Sequence, residues 1–155
     1  MALTEYEKYI RTEELLGLQK APEALTTHDE MQFQIVHQAA ELWMKLVGFE
    51  IQHVAALVDQ DAAGRAARQL LRVARVLRIL VGQLDLLDTM SPKDYMTIRT
   101  GLGRGSGQES PGFKTLMRLP GERVWPAVES LLARRGVTLR DIYEHQDEHF
   151  ELFSL

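Results

Sequence analysis

The sequence of 155 residues contains no cysteine. Disulfide bonds, thiolate metal ligands and a cysteine nucleophile are therefore excluded. No apolar run approaches the roughly 18 uninterrupted residues that a membrane-spanning helix needs. The opening residues also lack a basic segment followed by an apolar one, so no secretory signal is recognised. We expect a cytoplasmic protein in which any redox chemistry comes from a bound cofactor.

The chain is also poor in aromatic residues and has no excess of positive charge. Aromatic residues make up 7% of it, and 18 basic against 22 acidic residues give a net charge of −4. This mild acidity gives no reason to expect a nucleic-acid partner. The sequence does place five arginines along one predicted helix, at positions 65, 68, 72, 75 and 78. Such a stripe can bind phosphates, but it is more often a solvated face or a partner for acids on a neighbouring element.

Helix signals dominate the first 90 residues. Thr4 with Glu7 forms a capping box that predicts a helix to about residue 19, and Thr27 with Glu30 predicts the start of a long helix that ends at about residue 58. Apolar residues recur every three or four positions in the long helix, so we expect a core stripe of Ile35, Ala39, Leu42, Leu46 and Phe49. A further long helix, about 61–90, should bury Leu70, Ala74, Leu77, Leu80, Leu84 and Leu87.

The rest of the chain is also predicted to be helical. Ser91 and Pro92 are a helix start signal, and this short helix should end where a glycine-rich stretch, about 101–112, predicts a functional loop. Helices are expected from about 113 and about 123, and another from Thr138 with Asp141. We therefore predict one all-α domain, 1–155, with an arm of about 1–20, long helices of about 28–58 and 61–90, a short helix and loop of about 92–112, and C-terminal helices of about 113–155, packed as an antiparallel bundle.

Two pairs of residues at helical spacing are candidates for chemistry. Phe33 and His37, with Met44 further along, share one face of the long helix, where a histidine can accept a proton or hydrogen bond inside an apolar pocket. The alternative is a core histidine satisfied by a neighbour. Tyr95 and Arg99 precede the glycine-rich loop, where a guanidinium can bind a carboxylate through two parallel hydrogen bonds. The alternative is a surface arginine paired with an acid.

A third pattern, His145-Gln-Asp-Glu-His149, matches the H-x-x-E-H spacing of some zinc peptidases. A catalytic zinc site needs three protein ligands and an open position for water, and this segment supplies two. An exposed polar face is therefore the favoured interpretation, and we assign no metal ligand in this chain.

Three segments together resemble one family. The block from His28 to Lys45, which reads HDEMQFQIVHQAAELWMK, resembles the signature of tryptophan 2,3-dioxygenases. Residues 3–19 are similar to the family's N-terminal arm, and residues 87–99 resemble the segment that leads to its substrate arginine. The resemblance covers nearly all of this chain but only about the first half to two-thirds of a family member. It implies the N-terminal portion of an all-α bundle of the tryptophan and indoleamine dioxygenase type.

The resemblance also implies an activity and a site. The family's haem iron enzymes, which belong to the kynurenine pathway of tryptophan catabolism, insert both atoms of dioxygen into the indole C2–C3 bond of L-tryptophan to give N-formylkynurenine. In this chain His37 would be the catalytic residue that binds the indole N–H on the distal side of the haem. Phe33 would pack against the indole and the haem, Arg99 would bind the substrate carboxylate, and Tyr95 would help to shape the pocket.

Further substrate-binding residues follow from the same resemblance. The family forms homotetramers with exchanged N-terminal arms, so Tyr6, Tyr9 and Ile10 would reach the site of a neighbouring subunit. The loop around Ser106 and Gly107 would close over the substrate.

The sequence departs from the family in two places. The loop reads SGQES from Ser106 to Ser110, where typical members read closer to SGFQS, so a related aromatic amino acid is an alternative substrate. The segment with the proximal haem-ligand histidine has no counterpart, so we expect a chain truncated before it, with His145 or His149 as alternative iron ligands. The alternative function is a non-catalytic or split family member that binds an aromatic amino acid or a partner chain carrying the missing haem-ligand half.

Overall fold

A computed structural model of the chain describes residues 2–155, and no strand occurs among them. The predicted all-α class is confirmed. Within the described part of the chain, no helix is long and apolar enough to cross a bilayer. The α-helices are α1 Glu5–Ile10, α2 Thr12–Leu16, α3 Asp29–Asp59, α4 Ala63–Leu84, α5 Pro92–Gly101, α6 Pro111–Leu119, α7 Trp125–Arg135, α8 Leu139–Glu144 and α9 Phe150–Phe153. Short 3₁₀ turns occupy Pro22–Ala24, Leu87–Thr89 and Gly107–Glu109, and Pro120–Val124 form a π-helical turn.

Most of the predicted helix ends are confirmed. They were predictable because each depends on contacts within one helical turn. Thr4 and Thr138 each form a complete capping box with the acid three residues later. The Ser91 hydroxyl accepts from the Asp94 amide, 3.0 Å away, with Pro92 in the first turn. Gly136 ends α7 with a φ of 64°, a left-handed conformation that glycine adopts without strain.

The prediction of one continuous helix to residue 19 is wrong. Arg11 has a φ of 58° and a ψ of 47°, and this left-handed residue divides the segment into α1 and α2. Its amide donates to the Glu7 carbonyl and closes α1, while its guanidinium pairs with Glu14. A left-handed arginine costs roughly 1–2 kcal/mol and has no local sequence signal, so the helical pattern alone missed the break.

The predicted capping box of Thr27 and Glu30 is also wrong, although α3 begins and ends close to the expected positions. The Glu30 carboxylate accepts instead from the amide and the hydroxyl of Thr26, at 2.7 and 2.9 Å. The Thr27 hydroxyl is buried and has no hydrogen-bond partner among the described residues.

The described residues form two compact units, and each is described by itself; the prediction of a single domain stays a prediction. The first comprises the residues up to Gln38 together with Leu84–Arg104. It buries Val36, Met90 and Ile98, and polar contacts join its parts. The Gln32 side-chain amide donates to the Thr89 hydroxyl at 3.1 Å, and the Ser91 backbone amide donates to the Asp29 carboxylate at 3.4 Å. These contacts place α5 against the first turns of α3.

The second unit, Ala39–Gln83 with Gly105–Leu155, contains the larger core. Leu131 from α7 and Val54 and Val58 from α3 are fully buried in it. A second cluster joins α3, α4 and α6 and comprises Val47, Ile51, Val73, Val76 and Leu119.

The predicted core stripe of α3 is wrong for three of its five members. Ile35, Leu42 and Phe49 are 49, 53 and 70% exposed, whereas Val47, Ile51, Val54 and Val58 are buried. The sequence of α3 is apolar on more than one face, so periodicity alone does not choose the buried one. The valines and leucines of α4, α6 and α7 make that choice by covering the other face.

The predicted end of the second long helix at about residue 90 is wrong, because α4 ends at Leu84 and Leu87 lies in a separate 3₁₀ turn. The predicted stripe of α4 is displaced by about one position. Its buried residues are Ala63, Ala66, Val73 and Val76. Of the predicted leucines, Leu70 and Leu77 lie partly buried against the core, and Leu84 is exposed.

Candidate functional site

A cavity of about 380 Å³ lies in the first unit, between the start of α3 and the end of α5. Its size is within the range of small-ligand pockets. The apolar residues that line it are Phe33, Ile98 and Leu102, together with Gly101. The polar lining residues are Lys20, Thr26, Glu30, Gln34, His37 and Gln38. An apolar slot with a polar edge suits an aromatic molecule that carries hydrogen-bonding groups.

Phe33 and His37 both line this cavity, Phe33 as a partly buried residue and His37 as an exposed one. Their spacing of four residues places them one turn apart on α3, as predicted, and their ring centroids are 4.1 Å apart. The Nδ1 atom of His37 lies 2.7 Å from the Phe33 carbonyl oxygen. A carbonyl only accepts, so Nδ1 carries the hydrogen and donates it. In the neutral ring Nε2 is then an unprotonated acceptor.

Met44, placed on the same face of α3 by the sequence pattern, is not among the residues that line this cavity. It belongs to the second unit and is buried there, 2.9 Å from the position that a Cβ atom on Gly112 would occupy.

Tyr95 and Arg99 lie on α5, before and after Ile98 in the sequence. The buried side chain of Ile98 does line the cavity. Neither Tyr95 nor Arg99 is among the lining residues. The Arg99 guanidinium is half-buried and donates to the Gly103 carbonyl oxygen at 3.1 Å. It therefore holds the first turn of the glycine-rich loop, where Gly103 has a φ of 58°. The alternative, a pairing of Arg99 with an acid, does not occur among the described residues, and the binding of a carboxylate by Arg99 stays a prediction.

The remaining predicted substrate-binding residues lie away from this cavity or in the other unit. Tyr6, Tyr9 and Ile10 are exposed on α1 and do not line it. Ser106 and Gly107 belong to the second unit, where Ser106 begins a 3₁₀ turn. The Ser106 amide donates to the Glu109 carboxylate at 3.1 Å, so the acid that departs from the family's loop sequence acts as a local cap.

Sequence reasoning missed the polar edge of the cavity. Glu30, Gln34 and Gln38 follow one another at four-residue spacing on α3, and all three line the cavity. Glu30 is 6% exposed and pairs with Lys20. The hydrogen bond from Lys20, with that from the Thr26 amide, lowers the pKa of Glu30 to about 2. The four-residue spacing was visible in the sequence, but the partners on residues 18–26 were not.

The described residues do not form a complete haem site. His37 is the one histidine among the residues lining the cavity, and its Nδ1 is engaged by the backbone. Nowhere in residues 2–155 do three or more histidine or acidic side chains converge as metal ligands. His145 is exposed at the end of α8, and its segment to His149 is a turn, in keeping with an exposed polar segment.

The arginine stripe is exposed on α4. Arg72 pairs with Glu50, a buried acid on α3, at 3.0 Å, so at this position the stripe contacts an acid on a neighbouring helix.

Fold and site together define a helical protein with a small-ligand cavity, in which an imidazole acceptor lies beside an aromatic ring. The family model described as Tryptophan 2,3-dioxygenase matches residues 1–131. The chain belongs to the tryptophan 2,3-dioxygenase family.

Individual relatives agree with this assignment. Tryptophan 2,3-dioxygenase of Bordetella parapertussis is 38% identical over 120 residues, which cover 76% of this chain and 41% of the relative. The enzymes of the same name from Shewanella woodyi and Saccharopolyspora erythraea are 32 and 30% identical, over 95 and 96% of this chain and 47 and 49% of the relatives. The chain thus spans about half the length of the curated relatives it matches.

Proposed function

We propose that this chain carries the substrate-binding part of a haem-dependent tryptophan 2,3-dioxygenase. The reaction would insert dioxygen into the indole ring of L-tryptophan, or of a related aromatic amino acid, to give N-formylkynurenine. The observation that carries the proposal is the pairing of Phe33 and His37 in one cavity, with Nε2 of His37 left as an acceptor. Membership of the family supports the same assignment.

The chain's own residues account for substrate binding. The Nε2 atom of His37 would accept the indole N–H, and the Phe33 ring would pack against the indole face. Ile98 and Leu102 would keep water from the apolar part of the cavity. Arg99 would bind the substrate carboxylate once its guanidinium leaves the Gly103 carbonyl. Tyr95 would shape the same side of the site.

Other parts of the proposal concern assembly and the cofactor. Tyr6, Tyr9 and Ile10 are exposed on α1, as residues that enter a neighbouring subunit of a homotetramer would be. The loop at Ser106 and Gly107 would close over the substrate. Haem would supply the activation of dioxygen, and the cytoplasmic location stays a prediction.

A second candidate is a non-catalytic or split family member that binds an aromatic amino acid. It is favoured by one observation: no histidine besides His37 lines the cavity among the described residues. In that case a partner chain would carry the haem-ligand half.

Haem titration followed by L-tryptophan separates these candidates. The dioxygenase proposal predicts haem uptake and a change in the Soret band when L-tryptophan is added. Replacing Phe33 by leucine should weaken that response several-fold, whereas replacing the exposed Phe150 by leucine should not. Tryptophan binding without haem uptake would support the second candidate. A chain that binds haem but no tryptophan, or equal responses from both variants, would contradict the proposed site.

A further inference from the structure

A set of polar contacts ties residues 18–20 to α3, and we call it the clasp. The side-chain amide of Gln38 donates to the Leu18 carbonyl at 3.3 Å, and its oxygen accepts from the side-chain amide of Gln19 at 2.6 Å. The Lys20 backbone amide donates to the Gln34 side chain at 2.9 Å. The Lys20 ammonium pairs with Glu30. The segment after α2 is therefore held to the helix by three successive turns of α3.

Glu30 is the buried end of the clasp. Its side chain is 8% exposed, while that of Lys20 is 46% exposed. Besides Lys20, it accepts from the amide and hydroxyl of Thr26. One carboxylate thus binds both Lys20 and Thr26 in the chain that precedes α3. These contacts compensate the cost of burying its charge.

The clasp and the proposed ligand-binding residues share one cavity. Glu30 and Gln34 lie next to the stripe of Phe33 and His37 on α3, since successive residues are about 100° apart around a helix of 3.6 residues per turn. Lys20, Glu30, Gln34 and Gln38 all line the cavity with Phe33 and His37. The contacts that restrain residues 18–20 therefore also build the cavity's polar wall.

We propose that Glu30 is a positioning residue for the amino-acid site, which fixes Lys20 and the segment Leu18–Lys20 as a preformed wall of the cavity. A wall that is ordered before the ligand enters does not have to be ordered during binding, which favours affinity. The proposal rests on the proposed function for the identity of the ligand. The contacts of the clasp themselves do not depend on that function.

Hydrogen exchange at the Lys20 amide tests the clasp without any ligand. Glu30→Gln and Lys20→Met should each reduce the protection of this amide at least tenfold, because either change removes the ion pair. Lys20→Arg should retain protection, since the pair is kept. Glu144→Gln, which removes the exposed pair with Arg140 on α8, is the matched control and should change nothing at Lys20. Unaltered protection at Lys20 in both Glu30→Gln and Lys20→Met would overturn the proposal.

Binding of L-tryptophan then tests the positioning role with a double-mutant cycle. Glu30→Gln, Lys20→Met and the double variant should show the same loss of affinity, about fivefold, because Glu30 acts through Lys20. Lys20→Arg should bind like the original chain, a rescue that a general loss of stability would not show. Losses that multiply, or no loss, would overturn the positioning role. If the original chain binds no tryptophan, the proposed function fails, while the exchange experiment still decides the clasp.

Discussion

The Nδ1 atom of His37 lies 2.7 Å from the carbonyl oxygen of Phe33, one turn earlier in α3. The centroids of the two rings are 4.1 Å apart. This hydrogen bond decides which ring nitrogen of the neutral His37 carries the hydrogen. The neutral imidazole should therefore carry its hydrogen on Nδ1. Nitrogen NMR of the labelled chain checks this, and we expect the chemical shift of Nε2 to be that of an unprotonated ring nitrogen. A protonated Nε2 in the neutral ring would leave no acceptor for an indole N–H.

Arg99 provides a test of how the other end of the ligand is bound. Arg99→Leu should weaken L-tryptophan binding roughly tenfold or more, since hydrogen bonds to charged groups contribute about 1.5–3 kcal/mol. Calorimetric titration with L-tryptophan and with tryptamine, which has no carboxylate, measures the effect. Tryptamine should bind both forms alike, and Arg104→Leu in the exposed loop should affect neither ligand. Equal losses for both ligands would show that Arg99 is structural.

Gly112 lies where the glycine-rich loop enters α6, against the side chains of α3. A Cβ atom there would lie 2.6 Å from a Glu41 carboxylate oxygen and 2.9 Å from the Cβ atom of Met44. The Glu41 carboxylate also accepts from the Gly112 amide at 3.0 Å, so it has little freedom to move. Gly112→Ala should lower the free energy of unfolding by about 1–3 kcal/mol, as overpacking usually does.

Urea unfolding measures this loss, and Gly121→Ala is the matched control. Apart from the chain neighbours and the backbone of its own helical turn, no atom lies within 4 Å of a Cβ built on Gly121, so this change should not lower the stability. Equal stabilities of the two variants would mean that α6 does not approach α3 as closely as described.

The ion pair of Glu30 predicts an acid dependence of stability. Lys20 and Thr26 lower the pKa of Glu30 from 4.5 to about 2 in the folded chain. A carboxyl whose pKa is lowered on folding stabilises the fold at pH values above its unfolded pKa, and this contribution is lost as the pH falls through the folded pKa. The stabilisation should thus be complete above about pH 5 and decline toward pH 2.

Urea midpoints measured between pH 7 and pH 2 test this expectation. The original chain should lose more stability over the acid range than Glu30→Gln, which has no carboxyl at this position to protonate. The pKa values of Glu7 and Asp141 are also lowered, by their cap contacts, but both groups are present in both forms and their effects cancel in the comparison. Parallel pH curves would argue against the ion pair.

Local signals in the sequence predicted much of the helical structure. The caps at Thr4, Ser91 and Thr138 involve partners three residues away, so the sequence contains both sides of each contact. The buried face of α3 was not predictable in the same way. Ile35 and Leu42 are as apolar as Ile51 and Val54, and the packing of other helices decides which are covered.

In the site, too, the sequence predicted the contacts within one helix and missed the contacts between distant segments. Helical periodicity placed Phe33 and His37 together, and the structure puts both in one cavity. The contact of Arg99 with Gly103 and the ion pair of Lys20 with Glu30 depend on where the backbone turns after α5 and before α3. No local pattern specifies those turns, just as none marked the left-handed Arg11.

The most direct measurement is the binding of L-tryptophan compared with 1-methyl-L-tryptophan, in which a methyl group replaces the indole N–H hydrogen. If Nε2 of His37 accepts that hydrogen, the methylated ligand should bind the original chain at least tenfold more weakly. His37→Ala should bind the two ligands alike, because the acceptor is gone. Equal affinities of the original chain for both ligands would contradict the role assigned to His37.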